Sequence, residues 1–288
     1  LDSPLIVVTN DDGIWSAGLR AAVEALAPLG ELLIAAPDRQ WSGAGRSMPA
    51  TVTSQYDEVS YVLQDGRRIE AYQLDATPAL CVIHAMLHLA ERRPALVVAG
   101  INFGENISTE VTISGTVGAA LEAATFHVPA LAVSVEMAIE NHLSGDDQED
   151  YNASKAFTRR FAEYLLSERL PFDADVLSIN LPQTATVDTP WELTRLSRHR
   201  YFVPTPADRA NGNHRPGYRM MDSPEEAEIG SDVWCLHHLH HVSVTPISLD
   251  LTSRADFGEL EERLRRDRDA SRVRFISGGK NQIEICTT

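Results

Sequence analysis

Leu5-Ile6-Val7-Val8-Thr9-Asn10-Asp11-Asp12-Gly13 is the stretch that decides how this chain is read. Leu5 to Thr9 is an unbroken aliphatic and β-branched run, the pattern of a strand buried on both faces in a parallel sheet. Asn10-Asp11-Asp12-Gly13 then ends it as a turn. Leu19, Val23, Leu26 and Leu29 follow at helical spacing, and Leu32-Leu33-Ile34-Ala35-Ala36, closed by Pro37, is the next apolar run. Strand, helix and strand in such quick succession mark a βαβ unit with a right-handed crossover.

Working outward, residues 50–74 alternate in short stretches around Gln64-Asp65-Gly66, which predicts strands or a hairpin. Thr77-Pro78 opens a helix that runs through Val82, Ile83, Met86 and Leu89, with Pro near its first position. Ala95 to Ala99 and Ala130 to Ser134 read as buried strands, Val117 to Ala124 and Tyr151 to Leu166 as helices, and Val176 to Leu181 as a further strand. This alternation predicts an α/β fold with a doubly wound, mostly parallel sheet. From about 183 the texture changes. Residues 204–230 are poor in aliphatics and read as an excursion or flap, Val233 to Pro246 is strand-like, Phe257 to Arg268 is a charged amphipathic helix, and Val273 to Cys286 is a strand candidate. The expected division is therefore a catalytic core over 1–182 and an extension over 183–288 that belongs to the same functional unit.

The composition narrows the classes of function. With 288 residues and 43 % hydrophobic content, the chain can bury a large core. A net charge of -16 argues against duplex nucleic acid, whose binding rests on cationic neutralisation of phosphates. No apolar run reaches the roughly 18–20 residues a bilayer span needs, so no membrane partner is expected. Cys81, Cys235 and Cys286 are far apart and odd in number, which suits a reducing, cytoplasmic setting and no disulfide framework. Leu1-Asp2-Ser3-Pro4 carries no basic stretch or cleavage signal, although the chain does not start with Met and a removed leader stays open.

Open parallel sheets bind ligands beyond the carboxyl ends of their strands. That rule selects the loops 10–18, 37–48 and 100–116. Asp11 and Asp12 are adjacent carboxylates that repel unless a cation or hydrogen-bond donors compensate. An N-cap role explains one of them, not both, so a hard divalent cation is the favoured reading. Ser42, in Asp38 to Ser47, can offer a neutral oxygen, though a serine-glycine loop alone reads more often as ordinary surface. Asn102 can ligate a metal through its amide oxygen or simply hold a turn between glycines. Ser114-Gly115-Thr116 precedes a small-residue helix, which makes either a phosphate seat or a plain cap. His84 and His88 lie four apart on a helix but lack the HExxH glutamate, and His237, His238, His240 and His241 would alternate between the two faces of a strand. Neither group predicts a metal site.

Val8 to Ile14, Asp38 to Gly43, Gly100-Ile101-Asn102 and Ser114 to Ala120 together resemble the SurE, or survival-protein-E, nucleotidase family, in order and in spacing. Softer likenesses at Thr77-Pro78-Ala79, Pro129 to Ser134, Ile179 to Pro182 and Val242 to Pro246 extend it over most of the chain. His127, Gln40-Trp41 and Glu110 depart from the family pattern. The resemblance implies a Rossmann-like three-layer α/β/α core, a smaller C-terminal β-rich extension and a C-terminal helix exchanged between subunits of a homodimer or homotetramer. It implies a phosphoric monoester hydrolase of nucleoside 5′- and 3′-monophosphates, with activity on short polyphosphate in some members. It also implies one divalent metal ion, Mg²⁺ or Mn²⁺, at a site Ca²⁺ can occupy, held by Asp11, Asp12, Ser42 and Asn102. Phosphate contacts fall on Asn106, Ser114, Gly115 and Thr116, and Asp11, Asp12 and Asn106 are the catalytic candidates. Three other readings compete: a phosphatase of other small esters, a non-catalytic metal- or nucleotide-binding module, and a receiver-like domain. The last would need a lysine after a later strand, and lysine occurs only at 155 and 280.

Overall fold

The computed structural model describes residues 3–63, 65–138, 150–209, 212, 214 and 216–270, so the strand candidate Val273 to Cys286 lies outside the described residues. The chain divides into two compact units, Leu1–Leu249 and Asp250–Thr288.

In the first unit the strands are β1 (Leu5–Thr9), β2 (Glu31–Pro37), β3 (Tyr56–Val62), β4 (Arg68–Leu74), β5 (Leu96–Phe103), β6 (Ala130–Val135), β7 (Val176–Leu181), β8 (Trp191–Leu193), β9 (Phe202–Thr205), β10 (Gly217–Met220) and β11 (Val242–Ile247). Its helices are α1 (Ala17–Leu26), α2 (Pro78–His84), α3 (Gly115–Thr125), α4 (Asn152–Ser167) and the single turn α5 (Asp232–Trp234). Nine strands form one sheet in the order β3-β4-β2-β1-β5-β6-β7-β11-β8, and β9 pairs with β10 apart from it. The sheet is parallel from β4 through β7, with antiparallel additions at β3 and β11. The α/β reading therefore holds.

Every residue of β1 is buried. Its alternation feeds two cores: Ile6 and Val8 join Leu19, Val23, Leu26, Phe157 and Phe161 on the α1 and α4 side, while Leu5 and Val7 join Cys81, Val82, Val117 and Ala120 on the α2 and α3 side. β1 thus loses both faces to helices, which is why it carries no polar face. The chain leaves β1 on one side for β2 and β4, then returns on the other side to β5. The carboxyl ends of β1 and β5 therefore flank a topological switch point.

Two expectations are corrected. Gly100 to Asn102 end strand β5 rather than begin a loop, and the pairing with β6 shifts register between Ala99 and Asn102. Gly100 permits this: its φ is +130°, and a Cβ there would sit 2.3 Å from the Val133 carbonyl oxygen. The second correction concerns Val233 to Pro246. Residues 232–239 are helical, α5 running on into a π-helical turn over Cys235–Leu239, and only Val242–Ile247 is strand. Ser231 caps the turn by accepting from Trp234 N at 3.1 Å. Val233 and Leu236, three apart, then share one face against Ile107 and Tyr201 in a third, small core. His237 and His238 consequently lie on a helical turn that His240 ends at φ +54°, with His241 just beyond it, rather than on two faces of a strand.

The second unit contains α6 (Phe257–Ala270), laced by the ion pairs Arg263–Glu259 and Arg265–Glu261 one turn apart. Among the described residues no helix is long and apolar enough to cross a membrane, and the described cysteines, Cys81 and Cys235, are free and buried.

Candidate active site

The site begins where β1 ends. Asp11 is buried, and its carboxylate accepts from the Thr116 hydroxyl and from the backbone N–H groups of Gly115 and Thr116 at the start of α3. Gly115 makes this approach possible, because a Cβ there would lie 2.7 Å from both Cβ and Oδ2 of Asp11. Burial pushes the Asp11 carboxyl above its ordinary range, against the pull of those donors. Asp12 is pushed up to about 7 by burial first and by the charge of Asp11 second. Phe103 N at 3.2 Å and Gln40 Nε2 at 3.3 Å donate to it and work the other way. Among the described residues neither carboxylate forms an ion pair with a Lys, Arg or His side chain. Two mutually repelling carboxylates held without a cationic side chain are the electrostatic arrangement that favours a divalent cation most.

The second loop is docked against the first and third. Trp41 N donates to Asp11 O at 2.7 Å, Gly45 N to Ile113 O at 2.8 Å, and Arg46 pairs with the buried Glu122 of α3 at 2.6 Å. These ties place Ser42 on the wall of a cavity of about 350 Å³ that Asp11, Asn102, Asn106 and Ser114 also line. The amide of Asn102 is fixed through its nitrogen, which donates to Gly104 O at 2.6 Å. Ser114 caps α3 by accepting from Val117 N at 3.1 Å. Asp12, Gly115 and Thr116 are not on that wall. Thr116 is fully buried and its hydroxyl is committed to Asp11.

Asn106 is held by residues that sequence reasoning did not single out as site residues. Its backbone N donates to Asn180 Oδ1 at 2.7 Å, its backbone O accepts from Asn180 Nδ2 at 3.2 Å, and its own Nδ2 donates to Ser134 Oγ at 2.9 Å. Ser134 and Asn180 sit in neighbouring strands, β6 and β7. A polar side chain inside a buried strand needs a partner, and that was the available signal. Glu105 was also missed. It is buried on the same cavity wall, its carboxyl pushed up to about 7 by burial.

Among the described residues no three His, Cys, Asp or Glu side chains gather as a metal group. A cation here would rest on two carboxylates filled out by neutral oxygens. Ser42 and Asn102 line the cavity beside Asp11 with that hard-oxygen chemistry, which suits Mg²⁺ or Mn²⁺. The chemistry of these donors suits a divalent metal, with Asp12 off the cavity wall that Asp11, Ser42 and Asn102 share.

A doubly wound α/β sheet with paired carboxylates and a capped helix start at its switch point defines a class of protein that handles small anionic ligands at its strand ends. A family model described as "Survival protein SurE" matches residues 6–203. The chain is 42 % identical over 257 residues to the 5′-nucleotidase SurE of Thermococcus gammatolerans, covering 89 % of this chain and 94 % of the relative. It is 40 % identical over 271 residues to the 5′-nucleotidase SurE of Methanosarcina barkeri, covering 92 % and 99 %. The crystal structure of the SurE protein from Aquifex aeolicus superposes with a TM-score of 0.66 at 27 % identity, covering 92 % of this chain and all of that one. The chain belongs to the SurE family.

Proposed function

We propose that this chain is a divalent-metal-dependent phosphoric monoester hydrolase that converts nucleoside 5′- and 3′-monophosphates to nucleoside and phosphate, with short polyphosphate as a further substrate. The observation that carries the reading is the adjacent pair Asp11 and Asp12, both raised by burial at a switch point and, among the described residues, neither in an ion pair with a cationic side chain. Family membership and the name 5′-nucleotidase of its relatives support the substrate class.

Asp11, Asp12, Ser42 and Asn102 would hold the metal. A divalent cation bound there supplies Lewis-acid polarisation of a phosphoryl oxygen and makes bound water more acidic. The chain's own part is positional and electrostatic. Asp11, braced by Thr116 and the start of α3, orients the attacking water and accepts its proton. Asn106 and Ser114, the phosphate candidates that line the cavity, steady the phosphoryl oxygens as charge develops on them, while the N–H groups of Gly115 and Thr116 serve Asp11. The bracing of Asn106 by Asn180 and Ser134 lets it do so without reorganising. We place the chain in the cytoplasm as a homodimer or homotetramer, with Phe257, Leu260 and Leu264 recurring at helical spacing along α6 in support of an assembly face.

The test is phosphate release from 5′-AMP, 3′-AMP and tripolyphosphate with Mg²⁺, Mn²⁺ or Ca²⁺. Release from either nucleotide that stops on chelation is expected. No release with any of the three metals overturns the reading.

A further inference from the structure

Part of the cavity wall has no task in holding a metal or a phosphate. Phe202 and Pro204 of β9, Gly217 and Tyr218 of β10, and the neighbouring Ile113 and Arg200 line the same cavity as Asp11, Asn106 and Ser114. Phe202 and Tyr218 meet edge to face with ring centroids 5.2 Å apart, and Phe202 meets Tyr201 the same way at 4.7 Å. Tyr218 is 43 % exposed, an aromatic ring kept at the surface of a hairpin that belongs to no larger sheet.

The hairpin is nonetheless fixed to the catalytic loop. Tyr201, which precedes β9, is fully buried in the small core with Ile107, Val233 and Leu236. Its backbone N donates to Glu110 at 3.3 Å, and its O accepts from Met221 N at 2.8 Å just beyond β10. Ser108 donates its hydroxyl to His199 O and its N–H to Asp232 at 2.6 Å. Ile107, Ser108 and Glu110 directly follow Asn106, so the aromatic wall and the phosphate contacts are held in one frame.

We propose that Phe202 and Tyr218 form the nucleobase subsite, against which the base lies while its phosphate sits toward Asn106 and Ser114. This rests on the phosphomonoesterase reading and goes further by saying how a nucleotide is told from other phosphate esters. A volume of about 350 Å³ accommodates one ligand of nucleotide size. Aromatic rings bind any base through its π-face, at about 1–3 kcal/mol per base. The wall is two aromatic rings, an isoleucine and a proline, with Arg200 and the Tyr218 hydroxyl as its polar side-chain groups. Selection therefore follows stacking area: purine monophosphates are preferred over pyrimidine ones, and base-free esters are poor substrates.

The experiment compares kcat/KM for AMP with that for ribose 5-phosphate, which keeps sugar and phosphate and lacks the base, in the metal-loaded protein. In Tyr218→Ala the AMP to ribose 5-phosphate ratio should fall about ten- to hundredfold, mainly through KM for AMP, and Tyr218→Phe should restore it. Calorimetric titration with adenosine, without metal, gives a readout independent of turnover: binding to the wild type and its loss in Tyr218→Ala are expected. An unchanged ratio, an equal fall for both esters, or adenosine binding that is absent or indifferent to Tyr218 overturns the subsite. If the wild type hydrolyses neither ester, the phosphatase reading fails, and the adenosine titration still decides the subsite.

Discussion

Replacing Gly115 by Ala separates the site's geometry from the stability of the fold. The added Cβ would lie 2.7 Å from Asp11 Cβ and Oδ2, about 0.7 Å short of ordinary van der Waals contact. Asp11 cannot retreat freely, since Thr116 and the α3 N–H groups hold its carboxylate from the same side. Ala gains up to about 1 kcal/mol over Gly in a helix, while overpacking a tight site costs about 1–3 kcal/mol. The two partly cancel, so chemical denaturation should show a loss of no more than about 2 kcal/mol. Activity has no such compensation. A misplacement approaching 1 Å at a reacting group costs about a hundredfold. Phosphate release from AMP under saturating Mn²⁺ should therefore fall about a hundredfold in kcat while the protein stays folded. Wild-type kcat in Gly115→Ala would refute the claim that this helix start positions Asp11.

Other outcomes follow from the same geometry. Asn180→Ala removes both bonds that clamp the Asn106 backbone and should lower kcat about tenfold and stability by about 1–3 kcal/mol, read by steady-state kinetics and urea unfolding. Asp12, whose carboxyl is raised from 3.8 to about 7, binds its proton more tightly folded than unfolded. Its contribution to stability is thus full below about 4 and is lost as pH rises through about 7. Buried Glu105, also raised to about 7, acts in the same direction. Thermal unfolding in EDTA should then show a falling midpoint from pH 5 to pH 8, and Asp12→Asn should flatten that fall. His127 adopts φ +56° just after α3, a conformation in which a side chain is strained. His127→Gly should raise stability by about 0.5–1 kcal/mol in denaturant titration, because its own backbone oxygen still accepts from Arg93.

Much of this was legible because its causes are local. The aliphatic run of β1, the turn at Asn10 to Gly13 and the helical spacing of Leu19, Val23 and Leu26 act over a few residues, and the structure keeps all three. The three strand-end loops were legible for the same reason. What the sequence did not disclose depends on distant contacts. Thr116 meets Asp11 across 105 positions, Asn106 meets Asn180 across 74, and Ser108 meets Asp232 across 124. No periodicity encodes such pairings. The histidine run was misread because Val233 to Val242 is dense in apolar residues, and only the Ser231 cap and the packing of Leu236 on Tyr201 select a helical turn. The place of Phe202 and Tyr218 was hidden by a segment whose composition reads as an excursion.

The central claim is that Asp11 and Asp12 hold a divalent cation essential to phosphate release. The most direct measurement strips the protein with EDTA, returns Mn²⁺ stepwise, and follows the initial rate of phosphate release from AMP in the wild type and in Asp11→Asn. No release is expected from the stripped protein, with saturable recovery in the wild type and no recovery in the variant at any Mn²⁺ concentration. Full activity in EDTA, or a variant that recovers like the wild type, would contradict it.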